Sequence, residues 1–230
     1  MLSLPTKLQN RLTTSNRRKL SGVRIVRTPL FTSKDGMRYL IIGLGNPGPR
    51  YAGTRHNIGH MVLDELVRRC GATLGSTKTR AVAASVADLG GVVGTKAVLM
   101  KSATYMNESG LPVRQLADFY SIDPDHVIAI HDDVDLPFDS IKLKLGGGEG
   151  GHNGLRSMSK HLGTRDYLRV RAGVGRPPGR MDTADFVLQN FSSTERKDLP
   201  IFVSDCADAV EDLVLKGLTE AQQRYHSRQS

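Results

Sequence analysis

One imidazole, one carboxylate and three carboxamides stand where this chain turns, and together they limit the chemistry open to it. The imidazole is His56, the carboxylate Asp132, and the carboxamides are Asn46, Asn107 and Asn153. A histidine oriented by an aspartate, with no nucleophile beside it, is suited to deprotonating water. Asn side chains can hold a carbonyl and donate to the oxyanion that forms on attack. An ester, whose alkoxide departs more readily than an amide nitrogen, is a feasible target for so sparse a set. Other chemistries lack their residues: there is no Gly-x-Ser-x-Gly elbow, no cysteine in suitable surroundings and no histidine cluster at metal-ligand spacing. His131 beside Asp132-Asp133 could start a metal site, but adjacent strand residues point to opposite faces. Each Asn alone is ordinary turn or cap chemistry, so the case rests on their convergence. A helix starting at His56 adds one point. The positive end of its dipole disfavours an imidazolium, so His56 is expected to stay neutral and able to accept a proton.

The elements that must position these groups follow from the apolar pattern. Tyr39-Leu40-Ile41-Ile42 runs into a glycine-rich stretch from Gly43 to Asn57, which reads as a buried strand ending at a loop. In open α/β sheets ligands bind outside the carboxyl ends of the strands, so a site belongs at this loop. Gly43-x-Gly45-x-x-Gly48 matches a dinucleotide-binding fingerprint letter by letter. The match fails in context, because Pro49 to Arg55 intervene where a phosphate-binding helix should open and Asp64 falls mid-helix. No nicotinamide or flavin cofactor is expected.

Ile58, Met61, Val62 and Leu66 predict a helix over 58–70, stopped at Gly71. Residues 81–89 and 92–100 predict a hairpin turning at Gly90-Gly91. A helix over 107–120 precedes a short strand over 127–130 that Asp132 caps. Residues 141–145 alternate, with Lys142 and Lys144 on one face, and a glycine loop over 146–151 leads to a helix over 155–162. A strand over 168–174 carries Arg169 and Arg171 on one face. Residues 194–218 are largely helical, with a restart at Pro200. Strands alternating with helices, plus a hairpin, predict a single-domain α/β fold with a mixed, mostly parallel twisted sheet flanked by helices.

The 230 residues suffice for one sizeable core, and no apolar run approaches the roughly 20 residues of a membrane span. Two cysteines, Cys70 and Cys206, make neither a disulfide framework nor a four-ligand zinc site, and a reducing compartment is the simplest inference. The net charge of +9 is misleading as a nucleic-acid signal, because residues 1–34 hold eight Lys/Arg and no acid. Of the 32 basic and 23 acidic residues, those after position 36 number 24 and 22, a net of +2. The local signal is stronger: Lys142 to Arg180 contains nine Lys/Arg against Glu149 and Asp166, which predicts one basic face. Residues 1–36 lack periodicity and are expected to be a disordered leader outside the catalytic domain of 37–230. Their composition resembles an organellar transit peptide, while Met37, just before the first strand, favours an upstream start codon.

Six stretches together carry a resemblance: Ile42-Gly-Leu-Gly-Asn-Pro-Gly, Tyr51-Ala-Gly-Thr-Arg-His-Asn57, Tyr105-Met-Asn-Glu-Ser-Gly110, His131-Asp-Asp-Val-Asp-Leu-Pro137, Lys144-Leu-Gly-Gly-Gly and Gly151-His-Asn-Gly-Leu155. In order and spacing they resemble the bacterial peptidyl-tRNA hydrolase family, from about Met37 to the C-terminus. The resemblance implies a monomeric, cytoplasmic enzyme without metal or cofactor that cleaves the ester between a peptide and the 3′ ribose of tRNA. It implies His56 as general base, Asp132 as the carboxylate that orients it, and Asn46 and Asn107 as holders of the substrate end and water. It further implies Asn153 as a peptide contact, Tyr51 and Met106 as crevice walls, and His152 and Gly150 in the glycine-loop gate. Lys142 and Arg171 match a pair that grips the 5′ phosphate of tRNA. Glu149 stands where other members of the family vary, often with a neutral or His residue, and is expected to weaken local affinity for RNA phosphates slightly. The alternative is a non-catalytic RNA-binding module, as plastid relatives of this fold are thought to be. Retention of His56, Asp132 and three Asn argues against it, since phosphate binding needs none of them.

Overall fold

In the computed structural model, which describes residues 38–226, the chain begins with β1 (Arg38–Gly43), whose Leu40, Ile41 and Ile42 are fully buried. A strand buried on both faces belongs at the centre of a sheet covered on both sides. After a 3-10 turn at Arg55–Asn57 come α1 (Ile58–Arg69), the two-residue edge strand β2 (Gly75–Ser76) and β3 (Ala81–Val86). Then follow β4 (Lys96–Ser102), a 3-10 turn at Met106–Glu108, α2 (Gly110–Tyr120), β5 (Val127–Asp133) and β6 (Ile141–Leu145). The chain continues through α3 (Asn153–Leu162), β7 (Leu168–Gly173), α4 (Thr183–Val187), α5 (Glu195–Lys216) and α6 (Leu218–His226). The leader expected over 1–36 lies outside the described residues.

The seven strands form one sheet in the order β2-β3-β4-β1-β5-β7-β6. Four central strands, β4-β1-β5-β7, run parallel, and antiparallel partners close both sides. The expected mixed α/β sheet with a parallel core is therefore present. On one face Ile41, Ile128 and Val170 pack against α1, α5 and α6; on the other Leu40, Ile42 and Ala129 pack against α2 and α3.

Two glycines set how closely α1 approaches the sheet. A Cβ on Gly43 would lie 2.1 Å from the Gly59 carbonyl oxygen, and one on Gly59 would lie 2.4 Å from the Ile130 oxygen. Backbone thus rests on backbone, and the turn that precedes α1 is held over the carboxyl ends of β1 and β5. α5 is tied to α1 by Arg69, which bonds Glu65, Asp208, Glu211 and Ser204. At the far side α6 packs along β6, where the Gln222 side chain donates to the Leu143 carbonyl at 2.9 Å on the outer side of that strand.

Several sequence boundaries need correction. The predicted hairpin is present, with β3 antiparallel to β4 and Gly90-Gly91 in the connection, but its strands are shorter than expected. β3 ends at Val86 and β4 begins at Lys96, with a 3-10 turn at Leu89–Gly91 between them, because Leu89 is buried against the core while Val93 is exposed. The α-helix predicted from 107 starts at Gly110, and the one predicted from 155 starts at Asn153. Pro200 causes no restart. α5 runs straight through it, and the break comes at Gly217, whose φ of 80° and ψ of 169° no helix contains.

Candidate active site

The 3-10 turn at Arg55–Asn57 delivers His56, and β5 delivers Asp132, a strand residue rather than the cap expected from sequence. His56 Nδ1 lies 2.8 Å from Asp132 Oδ1. The same oxygen is met at 2.9 Å by Nε2 of His152. His152 is the N-cap of α3, and its Nδ1 accepts from the N–H groups of Gly154 and Leu155 at 3.1 and 3.3 Å. These bonds fix both tautomers. A carboxylate only accepts, so each ring nitrogen facing Asp132 carries its hydrogen, and Nε2 of His56 is left as a proton acceptor.

The electrostatics correct one expectation. Burial pushes the His56 imidazole down, but the Asp132 charge and hydrogen bond push it up by more, so its pKa is raised. The helix-start dipole is outweighed because a carboxylate at 2.8 Å is a full charge in contact. Burial raises the Asp132 carboxyl, yet the His56 and His152 rings and their bonds hold it well below the usual carboxylate range. His131 takes no part in this triad. Its ring lies 5.1 Å from that of His152, its Nδ1–H donates to the Asp132 backbone carbonyl, and burial followed by the His152 charge lowers its pKa to about 3. Ligand atoms of His56, Asp132 and His152 do lie within 4.8 Å of one another, a spacing a cation could use. Here both ring N–H groups point at the carboxylate, which makes the set a hydrogen-bonded relay.

Asn46 is held on three sides. Its backbone N–H donates to Asn57 Oδ1 at 2.9 Å, its carbonyl accepts from Asn57 Nδ2 at 2.9 Å, and its Oδ1 accepts from the Met106 N–H at 2.8 Å. The last bond orients the carboxamide and leaves Nδ2 as a donor with no protein partner among the described residues. Asn107, in the turn after β4, and Asn153, in the first turn of α3, are exposed and their carboxamides make no hydrogen bond among the described residues.

A cleft of about 1210 Å³ gathers these groups; it is lined by Asn46, His56, Asn107, Asp132, His152 and Asn153, and also by Met106, Gly150 and Arg171. Two expected residues stand off its wall. Tyr51 packs edge-on against Tyr105 at 6.4 Å, and Tyr105 is the ring that lines the cleft. Lys142 lies opposite Arg171 in the β6/β7 register but outside the lining, whereas Lys144 is in it. Arg171 is engaged by Asp133 Oδ2 at 2.7 Å. Glu149 is bonded by Arg165 Nε at 2.7 Å, which offsets the negative charge it brings to the loop.

Sequence reasoning missed two residues flanking His56. Asn57 reads as a helix start, but its side chain serves Asn46 instead of capping α1. Arg55 is buried, donates to the Asn190 carbonyl at 2.8 Å and Glu195 at 2.7 Å, and stacks 4.3 Å from the Phe186 ring, thereby fastening the His56 turn to the α4 wall. The run Arg55-His56-Asn57, three polar residues entering an apolar helix, was the available signal.

An α/β sheet with a hydrogen-bonded His-Asp pair at its carboxyl end, and no serine or cysteine among the described residues lining the cleft, has the arrangement that a general-base hydrolase uses. Comparison with known proteins narrows this. The family profile for peptidyl-tRNA hydrolase matches residues 40–230. A peptidyl-tRNA hydrolase of Arthrobacter sp. (strain FB24) is 60% identical over 190 residues, which are 82% of this chain and 96% of that one. That of Kineococcus radiotolerans is 55% identical over 195 residues, 82% of this chain and 97% of that one. The crystal structure of peptidyl-tRNA hydrolase from Acinetobacter baumannii superposes with a TM-score of 0.73 at 33% identity, covering 81% of this chain and 93% of that one. The chain belongs to the peptidyl-tRNA hydrolase family, and it is an enzyme.

Proposed function

We propose that this enzyme hydrolyses the ester between the peptide and the 3′ ribose oxygen of peptidyl-tRNA, releasing both. The observation that carries the reading is the 2.8 Å bond from His56 Nδ1 to Asp132, which leaves Nε2 to take a proton from water. The hydroxide adds to the ester carbonyl, and the negative charge moves to the carbonyl oxygen. The Asn46 and Asn153 carboxamides donate to that oxygen and to the peptide, while Asn107 holds the substrate end. Asp132 stabilises the imidazolium. On collapse the ester C–O bond breaks and the proton on Nε2 passes to the departing 3′ oxygen, returning His56 to its starting state.

Met106 and Tyr105 wall the acyl end, with Tyr51 backing the Tyr105 ring, and Gly150 and His152 close the glycine-loop side. Arg171, with Lys142 beside it in the next strand, takes the tRNA 5′ phosphate, an assignment supported by their shared face. The catalytic unit is residues 37–230, acting as a monomer in the cytoplasm and needing no metal or cofactor, and its product is tRNA returned to translation. Incubation with peptidyl-tRNA tests the reading: free tRNA should appear at catalytic enzyme concentrations. RNA binding without tRNA release at micromolar enzyme would overturn it.

A further inference from the structure

Arg169 sits in β7 opposite Lys144, among the cations of the basic face, but its surroundings differ from theirs. It is only 3% exposed. Its Nη1 donates to the Gly148 carbonyl at 2.6 Å and its Nη2 to the Gly147 carbonyl at 2.9 Å, while the guanidinium lies 4.7 Å from the centre of the Tyr167 ring. Among the described residues it forms no ion pair. A buried charge without a counter-charge is costly unless every donor finds a well-placed acceptor. Two consecutive carbonyls take Nη1 and Nη2, while Nε is buried without an acceptor among the described residues, so the charge rests on those two bonds and the Tyr167 ring, a fork geometry that a lysine ammonium cannot reproduce.

Those carbonyls belong to the glycine loop. Gly146, Gly147, Gly150 and Gly151 all have positive φ, so the loop's own sequence imposes no single course. Tyr167 carries the tie further, since its hydroxyl donates to the Leu155 carbonyl of α3 at 3.2 Å and its carbonyl accepts from the Gly146 N–H at 3.0 Å. The loop delivers His152 to Asp132 and Asn153 to the cleft.

We propose that Arg169 is a positioning residue that clamps the glycine loop, and through it His152 and Asn153, and that it is not a contact for RNA phosphate. The inference rests on the hydrolase reading for its kinetic arm. The test compares Arg169→Lys, Arg169→Gln and Arg171→Ala with the parent enzyme. The readouts are kcat and KM for peptidyl-tRNA, their salt dependence, and amide hydrogen exchange over 146–154 without substrate.

A misplacement of about 1 Å at a reacting group lowers turnover by about a hundredfold. Arg169→Lys, which keeps the charge, should therefore lose about ten- to a hundredfold in kcat with KM and salt slope near the parent's. Exchange over 146–154 should speed up while amides of β1 and α1 keep parent rates. Parent-like exchange and kcat in Arg169→Lys would overturn the clamp. So would an Arg169→Gln enzyme of normal kcat whose salt slope falls by about one, as Arg171→Ala should show. If Arg169→Gln does not fold, the lysine variant alone decides. A parent enzyme that fails to cleave peptidyl-tRNA would sink the hydrolase reading, and the exchange measurement would still judge the clamp.

Discussion

Asn57 grips the main chain of Asn46 at both its N–H and its carbonyl, each at 2.9 Å. The carboxamide imitates a neighbouring strand at a point where none is available, and so fixes the turn that aims the Asn46 side chain. Asn57→Ala should cost about 1–3 kcal/mol for each partner left unsatisfied and lower turnover through a wandering Asn46. Asn57→Asp keeps the acceptor and loses the donor, so it should fall between the two. Denaturant melts alongside kcat measure both.

His56 offers the most direct test of the chemistry. Its side chain is a base in a turn and contributes little core packing, so His56→Ala should keep the parent's fold and lose about two to four orders of magnitude in kcat. Circular dichroism with tRNA release checks this. Near-parent turnover in a folded variant would remove His56 from the reaction.

The pH profile follows from the sign of the shift. His56 acts as its neutral form and its pKa is raised by Asp132, so kcat/KM should fall as pH drops through a midpoint above the ordinary 6.5. Asp132→Asn removes the charge and leaves burial to act, which should move that midpoint below 6.5 and lower the plateau by about two to four orders of magnitude. His152→Ala should move it upward, because Asp132 would then serve His56 alone. It should also cost about 0.5–2 kcal/mol through the lost cap of α3.

Arg171 is predicted to act at a distance from the ester. Arg171→Ala should raise KM for peptidyl-tRNA and reduce the salt slope by about one, sparing minimal ester substrates. Asp133→Asn releases Arg171 from its 2.7 Å ion pair and should lower KM for the full substrate. Steady-state kinetics over a salt series distinguish the two variants.

Acid sensitivity has a second source apart from catalysis. Burial lowers the His60 pKa to about 3, helped by Lys101, and its ring lies flat against Gly45. The unfolded chain then binds a proton that the folded chain refuses, so stability is lost as pH falls below about 6.5 and continues to fall towards 3. The contribution is about 1.4 kcal/mol per pH unit. His60→Phe keeps a flat ring at that place and should flatten the pH dependence of stability by about one proton between pH 6 and 4.

Much of this was legible in the sequence because the elements carry their own periods. Leu40-Ile41-Ile42 and the spacing of α1 foretold the strand, the helix and the crevice between them. Polar residues in the loops after strands pointed to His56, Asp132 and the three Asn, which share one cleft. What escaped depends on contacts between distant residues. No spacing tells that His152 reaches the oxygen His56 already uses, or that the Asp132 charge reverses the dipole's effect. Arg169 and Arg171 share a face and a residue type, and only burial tells them apart, Arg169 enclosed on the glycine-loop carbonyls and Arg171 reaching the cleft beside Asp133. Pro200 was misread because, near the start of a long helix anchored to α1, packing outweighs one lost backbone bond.

The helix α6 lies along β6, with Gln222 on the Leu143 carbonyl and Asp212 holding both Arg224 and Tyr225. Trimming or tugging at the carboxyl tail would peel that seal from the sheet and leave a template onto which another polypeptide can add. A purification tag is therefore better carried at the other terminus, and storage losses in tail-clipped preparations should take the form of self-association.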